Sequence, residues 1–220
     1  MARGVRVGAL LAALREAYPV VTTELDWRTP FELLVATVLS AQSTDRGVNA
    51  VTPALFERFP DAAAMAAGSV EEIEARVRTL GLYRTKARHL NELAVRLCRE
   101  HGGAVPSRRA ALEALPGVGR KTASVVLATA FGVPALAVDT HVLRLAGRLG
   151  LSRGHTPEAV ERDLRRRIPR QDWIWAHHAL IHHGRRVCRA RAPACGACVL
   201  RAHCPRIGVC ASGLSRIKEA

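Results

Sequence analysis

Residues 107–132 read SRRAALEALPGVGRKTASVVLATAFG, and the order of cap, turn and stop residues in this stretch decides the fold. Ser107 is the predicted N-cap of a short first helix, which Pro116 ends. A tight turn follows over Gly117-Val118-Gly119, and a second helix is predicted over residues 120–131 because the next residue is glycine. The stretch therefore predicts two helices joined by a hairpin turn, a helix-hairpin-helix.

The hairpin turn is a predicted phosphate-binding site. Its two glycines free the backbone to expose N–H groups at a helix N-terminus, where the helix dipole also favours an anion. The alternative is a plain interhelical turn, but the basic pair Arg120-Lys121 after it favours an anionic partner. We therefore expect Gly117, Val118, Gly119 and Arg120 to contact a nucleic-acid backbone, which positions the polymer without reading its sequence.

Lys121 occupies the first turn of the second helix. The helix dipole and the neighbouring Arg120 both disfavour a cation there, so the sequence predicts a pKa below the usual value of about 10.4. A lysine with a lowered pKa can form a Schiff base near neutral pH. Considered alone, the residue favours the simpler alternative, a solvated lysine that touches a phosphate.

Asp139, in the run VDTH from Val138, precedes a segment with apolar residues at helical spacing. It is the predicted N-cap of that helix. Helix N–H groups keep a capping carboxylate ionised and fixed. The same residue could therefore also stabilise a developing cation or assist proton transfer.

Charge and composition point to a folded, helical partner of a polyanion. Among 220 residues, 33 basic side chains outnumber 19 acidic ones, and the excess is +11 over residues 111–220 but only +3 over residues 1–110. An apolar content of 49% argues against disorder, and an aromatic content of 4% argues against an all-β fold. We find no apolar run long enough to cross a bilayer, so we expect a soluble, cytosolic protein that does not associate with membranes.

Helix-start signals recur along the chain. Thr29-Pro30, Thr44-Asp45 and Thr156-Pro157 each predict a capped helix, and Ser69 with Glu72 predicts a capping box for a helix through Leu80. About ten short helices result, without strand-like alternation. The sequence therefore predicts an all-α fold.

Four cysteines near the C-terminus have the spacing C-x6-C-x2-C-x5-C, formed by Cys188, Cys195, Cys198 and Cys204. In a cytosolic chain this spacing predicts a metal centre rather than disulfides. One compact loop suits a cubane iron–sulfur cluster, whereas structural zinc usually uses two separated C-x2-C pairs; zinc stays open as an alternative.

The remaining cysteines and a histidine cluster receive structural interpretations. Cys98 is predicted to lie in the core, and Cys210 in the C-terminal tail. His177, His178, His182 and His183 have the spacing of metal ligands, but no glutamate accompanies them and tryptophans lie beside them, so we assign them to helix packing.

Four motifs together resemble the endonuclease III family of DNA repair glycosylases with AP-lyase activity. They are LLVATVLSAQSTD from Leu33, LPGVGRKTA from Leu115, VDTH from Val138 and the cysteine loop, and the resemblance covers essentially the whole chain. It implies an all-α fold of two domains with a DNA cleft between them. The resemblance implies a six-helix domain over residues 23–133, and a discontinuous domain of residues 1–22 and 134–220 that would hold a 4Fe-4S cluster.

The resemblance also implies the chemistry. Lys121 would attack the anomeric carbon of an oxidised or saturated pyrimidine nucleotide in duplex DNA, release the base and cut the strand by β-elimination, with Asp139 supporting both stages. Gln42 and Leu82 would enter the gap left by the flipped nucleotide. The resemblance also implies DNA contacts by His141, Arg185, Arg189 and Arg191. Abasic sites in DNA would be further substrates. We expect the protein to be a monomer that associates with the nucleoid.

Two other functions remain open at this point. One is a monofunctional mismatch or adenine glycosylase of the same superfamily, but such enzymes replace the hairpin lysine. The other is a non-catalytic DNA-binding module with a zinc-braced cysteine loop, which the spacing alone does not exclude.

Overall fold

The computed structural model describes residues 6–209, and these form helices without any strand. The predicted all-α class is therefore confirmed for this part of the chain. The α-helices are α1 (Val7–Ala17), α2 (Pro30–Leu39), α3 (Asp45–Arg58), α4 (Ala62–Ala67), α5 (Val70–Val77), α6 (Tyr83–His101), α7 (Arg109–Glu113), α8 (Arg120–Phe131), α9 (Thr140–Arg148), α10 (Pro157–Arg167) and α11 (Trp173–Arg186). Three short 3₁₀ helices lie at Arg170–Asp172, Cys195–Ala197 and Arg201–His203.

Four of the N-caps predicted outside the hairpin are those of α2, α3, α5 and α10, and all four are confirmed. The side chains of Thr29, Thr44 and Thr156 each accept a hydrogen bond from a backbone N–H in the first turn of α2, α3 and α10. Ser69 and Glu72 form the complete capping box of α5. That helix ends at Val77 rather than at Leu80, because the chain turns there toward a left-handed residue at position 82.

The predicted cap at Ser107 is wrong. The N-cap of α7 is Arg108, whose side chain makes no capping bond. Ser107 therefore lies one residue too early for its hydroxyl to serve the first-turn N–H groups. The second helix of the hairpin is confirmed over Arg120–Phe131, and Gly132 ends it in the left-handed conformation.

The chain divides into two compact units, of which one is residues 23–135. This unit carries seven α-helices, α2 to α8, rather than six, and α7 is only five residues long. Helix α2 is its core element, because nine of its ten residues are buried. It packs against α8, α3 and α6, while α6 also packs against α4 and α5. The hairpin helices therefore rest on an apolar centre.

The other unit consists of residues 1–22 and 136–220, described here over 6–22 and 136–209. Its core joins α1, α9, α10 and α11 through buried residues such as Leu10, Leu145 and Leu180. Two longer-range contacts tie α1 to the later chain: Arg15 pairs with Asp172 at 2.6 Å, and the Trp175 indole N–H donates to the Tyr18 carbonyl at 2.8 Å. The N-terminal helix is thereby part of the same unit as the cysteine loop.

Cys98 lies on α6 and is only half-buried, so its predicted core position is wrong. Cys210 lies outside the described residues. Within residues 6–209, none of the helices combines the length and the apolar character required to cross a membrane.

Candidate active site and cysteine pocket

The hairpin turn uses its two glycines differently. Gly117 has a φ of +72°, and a Cβ there would lie 3.1 Å from the side chain of His89, so the backbone and the packing both require glycine. Gly119 is the N-cap of α8 with an extended φ of −91°, and a Cβ there would meet no atom within 4 Å. Val118, between them, is buried. Since Gly119 has no side chain, the start of α8 is uncapped by its own N-cap and open to an approaching group.

The basic pair after the turn is presented outward. The side chains of Arg120 and Lys121 are both exposed in the first turn of α8. Behind them, Arg109 of α7 donates to the Ser124 hydroxyl at 3.0 Å, and that hydroxyl donates to the Arg120 carbonyl at 2.9 Å. These bonds fix the two hairpin helices to each other and hold the first turn of α8 in place.

Asp139 caps α9, as predicted. Its Oδ1 atom accepts the backbone N–H groups of His141 and Val142, both at 2.8 Å. Both bonds end on one oxygen, which leaves Oδ2 outside the cap. The carboxylate is therefore fixed in orientation while one of its oxygens remains available for other chemistry.

Helix α9 is tied to the end of α11. Arg144 donates to the carbonyls of Gly184 and Cys188 at 2.9 and 3.1 Å and lies 3.1 Å from Nδ1 of His141. A Cβ at Gly184 would lie 2.8 Å from that of His141, so this glycine permits the close approach of the two helices. The half-buried His141 is thus held within this contact.

Gln42 and Leu82 are brought together by two unusual turns. The backbone φ is +53° at Gln42 and +58° at Leu82, values that residues other than glycine rarely adopt. Both side chains are exposed, that of Leu82 by 59%. A Cβ added at Gly81 would lie 3.6 Å from the Gln42 carbonyl oxygen, so the two turns lie close together. Beneath them, the Lys86 ammonium donates to the Ser43 hydroxyl at 2.8 Å, and burial lowers the pKa of Lys86.

The cysteines of the predicted metal centre all line one pocket, together with residues of α9 and α11: Cys188, Cys195, Cys198 and Cys204. Burial raises the pKa of the Cys198 and Cys204 thiols, and repulsion from the neighbouring thiolates raises it further. Among residues 6–209, no group of three or more His, Cys, Asp or Glu side chains is arranged around a single metal ion.

His183 also lines this pocket, which the sequence did not predict. Its Nε2 atom lies 3.3 Å from the Cys198 sulfur, and its Nδ1 atom lies 3.2 Å from the Tyr18 hydroxyl. Burial lowers the pKa of His183 to about 4, so the ring is neutral near pH 7. A neutral ring has one N–H, and a Tyr18 hydroxyl that donates to Nδ1 directs this N–H toward the sulfur.

The other three histidines of α11 are buried and serve in helix packing, as predicted. His177, His178 and His182 are buried, and Nε2 of His182 lies 3.0 Å from the Thr22 carbonyl. The only sequence signal that separated His183 from them was its distance of five residues from Cys188.

Arginines surround the cysteine loop. Arg148 of α9 donates to the Cys188 sulfur at 3.4 Å and to the Arg189 carbonyl at 2.8 Å. Of the predicted DNA contacts, the side chains of Arg189 and Arg191 are exposed and that of Arg185 is half-buried. Arg148 therefore anchors the cysteine loop to α9, and the exposed Arg189 and Arg191 make the solvent-facing surface of the loop basic.

Comparison with known proteins agrees with this architecture. Residues 35–170 match the profile of the HhH-GPD superfamily base excision DNA repair proteins. The chain is 50% identical to the endonuclease III of Synechocystis sp. over 91% of this chain and 92% of that protein. It is 47% identical to that of Escherichia coli K12 over 89% and 92%. A solved structure described as a trapped endonuclease III–DNA covalent intermediate superposes with a TM-score of 0.88, at 44% identity, over 94% of this chain and 97% of that one.

The chain therefore belongs to the HhH-GPD superfamily of base excision DNA repair proteins and, within it, to the endonuclease III family. The resemblance seen in the sequence is thereby confirmed. So is the enzyme class that it implied, a bifunctional DNA glycosylase and AP lyase of base excision repair.

The two turn glycines give a prediction about stability. Gly117→Ala introduces a side chain at positive φ against His89, and we expect it to lower the free energy of unfolding by about 1–2 kcal/mol. Gly119→Ala introduces a Cβ into open space at a φ that alanine adopts, so we expect a change of less than about 0.5 kcal/mol. Urea denaturation of both variants measures the difference. Equal losses would contradict the separate roles given to the two glycines.

Proposed function

We propose that the chain excises oxidised or saturated pyrimidines from duplex DNA, and cuts abasic sites, with Lys121 as the amine nucleophile. The observation that carries the assignment is the position of Lys121: its side chain is exposed in the first turn of α8, directly behind a turn whose N-cap has no side chain. An arginine there would also bind a phosphate, but only a lysine can form a Schiff base.

The turn supplies the anchor for the DNA backbone. The open helix start at Gly119 presents N–H groups and the positive end of the α8 dipole to one phosphate. Arg120 adds a charge-assisted contact at the same place. A Cβ at position 119 would meet no described atom of the chain within 4 Å, so the glycine leaves room for a phosphate to approach closely.

The proposed reaction uses the Lys121 amine next to the turn that would bind the DNA backbone. Neutral Nζ of Lys121 forms a bond to C1′ of the damaged nucleotide as the C1′–N glycosidic bond breaks, and the base leaves with the electron pair and takes up a proton. Opening of the sugar gives an imine between Nζ and C1′. Loss of a C2′ proton then expels the 3′ phosphate, which is the β-elimination that cuts the strand.

Asp139 is the acid–base partner in this scheme. Its Oδ1 is used by the cap of α9, while Oδ2 can accept or return a proton or stabilise the cationic sugar. Gln42 and Leu82 fill the gap left by the flipped nucleotide; this role is supported by their exposed side chains and by the proximity of their two turns. His141, Arg185, Arg189 and Arg191 are proposed DNA contacts of the second unit.

The cysteine pocket fits a 4Fe-4S cluster held by Cys188, Cys195, Cys198 and Cys204. Thiolates that line one pocket and repel one another would be stabilised by cationic iron. Arg148 donates to the Cys188 sulfur and the His183 ring lies 3.3 Å from the Cys198 sulfur, so both side chains would orient the ligands that hold the cluster. When bound, such a cluster cross-links the loop and can exchange one electron. The loop so held presents Arg189 and Arg191 to DNA phosphates. We further propose that the chain acts as a monomer at the nucleoid in the cytoplasm, where its substrate lies.

Replacement of Lys121 tests the nucleophile. We expect Lys121→Gln and Lys121→Arg to lose both base release and strand cleavage by about a thousand-fold or more, because neither side chain offers a neutral amine. Lys121→Arg keeps the cation and should bind lesion duplex within a few-fold of the wild type. Single-turnover assays on a duplex with one thymine glycol measure both activities. Substantial cleavage by Lys121→Arg would remove Lys121 from its proposed role.

Asp139→Asn separates the cap from the chemistry. Asparagine caps helices about as well as aspartate, so the melting temperature should be nearly unchanged. Turnover should fall by about a hundred-fold or more because the amide neither takes up a proton nor carries a charge. The measurement is the single-turnover rate at equal DNA occupancy. A stable variant with the wild-type rate would show that Asp139 is only a cap.

Metal analysis tests the cluster. We expect about four irons and four sulfides per chain, with visible brown absorption, in protein purified without oxygen. Cys198→Ala should lose both, whereas Cys98→Ala, which alters a cysteine on α6 outside the loop, should keep them. One zinc per chain in colourless wild-type protein, lost in Cys198→Ala, would instead support the zinc alternative.

A further inference from the structure

Lys86 is a buried cation for which the proposed chemistry has no use. It is 5% exposed and lies in the first turn of α6. The exposed Leu82, four residues earlier, is the N-cap of this helix. Burial of an ammonium group is unfavourable unless its environment compensates for the lost hydration. The ammonium group of Lys86 is therefore expected to make an interaction that an apolar side chain could not make.

The contacts of Lys86 join the two strained turns. Its backbone N–H donates to the Leu82 carbonyl at 3.0 Å, which closes the first turn of α6 on the left-handed residue. Its ammonium donates to the Ser43 hydroxyl at 2.8 Å, and Ser43 directly follows Gln42. Lys86 thus contacts Leu82, which has a positive φ, and Ser43, the neighbour of Gln42, which also has a positive φ.

Such backbone conformations persist only where the surroundings hold them. The two turns lie close together, since a Cβ added at Gly81 would be 3.6 Å from the Gln42 carbonyl oxygen. The Lys86–Ser43 bond adds a directed, charge-assisted link beneath them. It links the residue after Gln42 to the first turn of the helix that follows Leu82.

We propose that Lys86 is a positioning residue for lesion extrusion, which holds Gln42 and Leu82 as one preformed wedge through its bond to Ser43. The inference rests on the proposed function of those two side chains. A preformed wedge lowers the ordering needed when a base pair is opened. It matters most where a paired base must be unstacked, and least at an abasic site, where no base remains to be extruded.

The test compares two rates in one protein preparation. One is single-turnover base release from a duplex with thymine glycol opposite adenine, and the other is strand cleavage at a preformed abasic site. A variant that only folds less well loses both rates in the same proportion. A variant with a loosened wedge loses the first rate selectively, so the ratio of the rates is independent of the folded fraction.

We expect Lys86→Met and Ser43→Ala to lower base release by about tenfold and abasic-site cleavage by less than about threefold. Ser43→Thr keeps the hydroxyl, so the ratio of base release to abasic-site cleavage should stay at the wild-type value. Leu82→Ala, which removes the wedge itself, should shift the ratio in the same direction.

Each alternative outcome has a distinct meaning. If Leu82→Ala shifts the ratio while Lys86→Met and Ser43→Ala leave it unchanged, the positioning role of Lys86 is wrong and the proposed function stands. If Leu82→Ala leaves it unchanged, the wedge is wrong and the inference about Lys86 with it. A wild type that cuts abasic sites but releases no base would overturn the proposed glycosylase substrate, and the inference that depends on it.

Discussion

The first turn of α8 is the constraint on which the rest of the account depends. A helix begins with N–H groups that have no partner within the helix, and most helices close that end with an oxygen from their own N-cap. Here the N-cap is Gly119, which has no side chain and faces open space. The backbone start of α8 is therefore available to an external anion, and Lys121 follows within the same turn.

Helix α9 provides the contrast. It closes its start with Asp139, whose Oδ1 takes two backbone N–H groups at 2.8 Å. One helix start is open and followed by a cation, whereas the other is closed by a carboxylate. The same element of local structure is thus an open helix start followed by Lys121 in one unit, and a helix start closed by a fixed carboxylate in the other. Core packing supports both, since α8 rests on the buried α2 and α9 is fastened to α11 through Arg144.

Local features of this fold could be predicted from the sequence. A capping bond spans three or four residues, so Thr29, Thr44, Ser69 and Thr156 could be recognised from their neighbours alone. Ser107 failed because the same signal allows a shift of one residue in where a helix begins. The cysteine loop was visible because its members lie within 17 residues.

Features set by tertiary structure could not be predicted. The left-handed conformations of Gln42 and Leu82 have no signal in residue type, since the favoured residue there is glycine. His183 could not be separated from its three packing neighbours, because its contacts to Cys198 and Tyr18 span 15 and 165 residues. Lys86 depends likewise on a partner 43 residues away. The functional details that escaped the sequence are those that long-range contacts create.

The central claim, that Lys121 supplies the amine, is tested most directly by locating the covalent bond. The Schiff base formed on a lesion duplex is reduced with borohydride, the protein is digested, and the peptide that carries the nucleotide remnant is identified by mass spectrometry. The account predicts one modified amine, Lys121, which is exposed at the start of α8. An adduct on Lys86 or on the N-terminal amine, or no adduct with folded and DNA-binding protein, would contradict it.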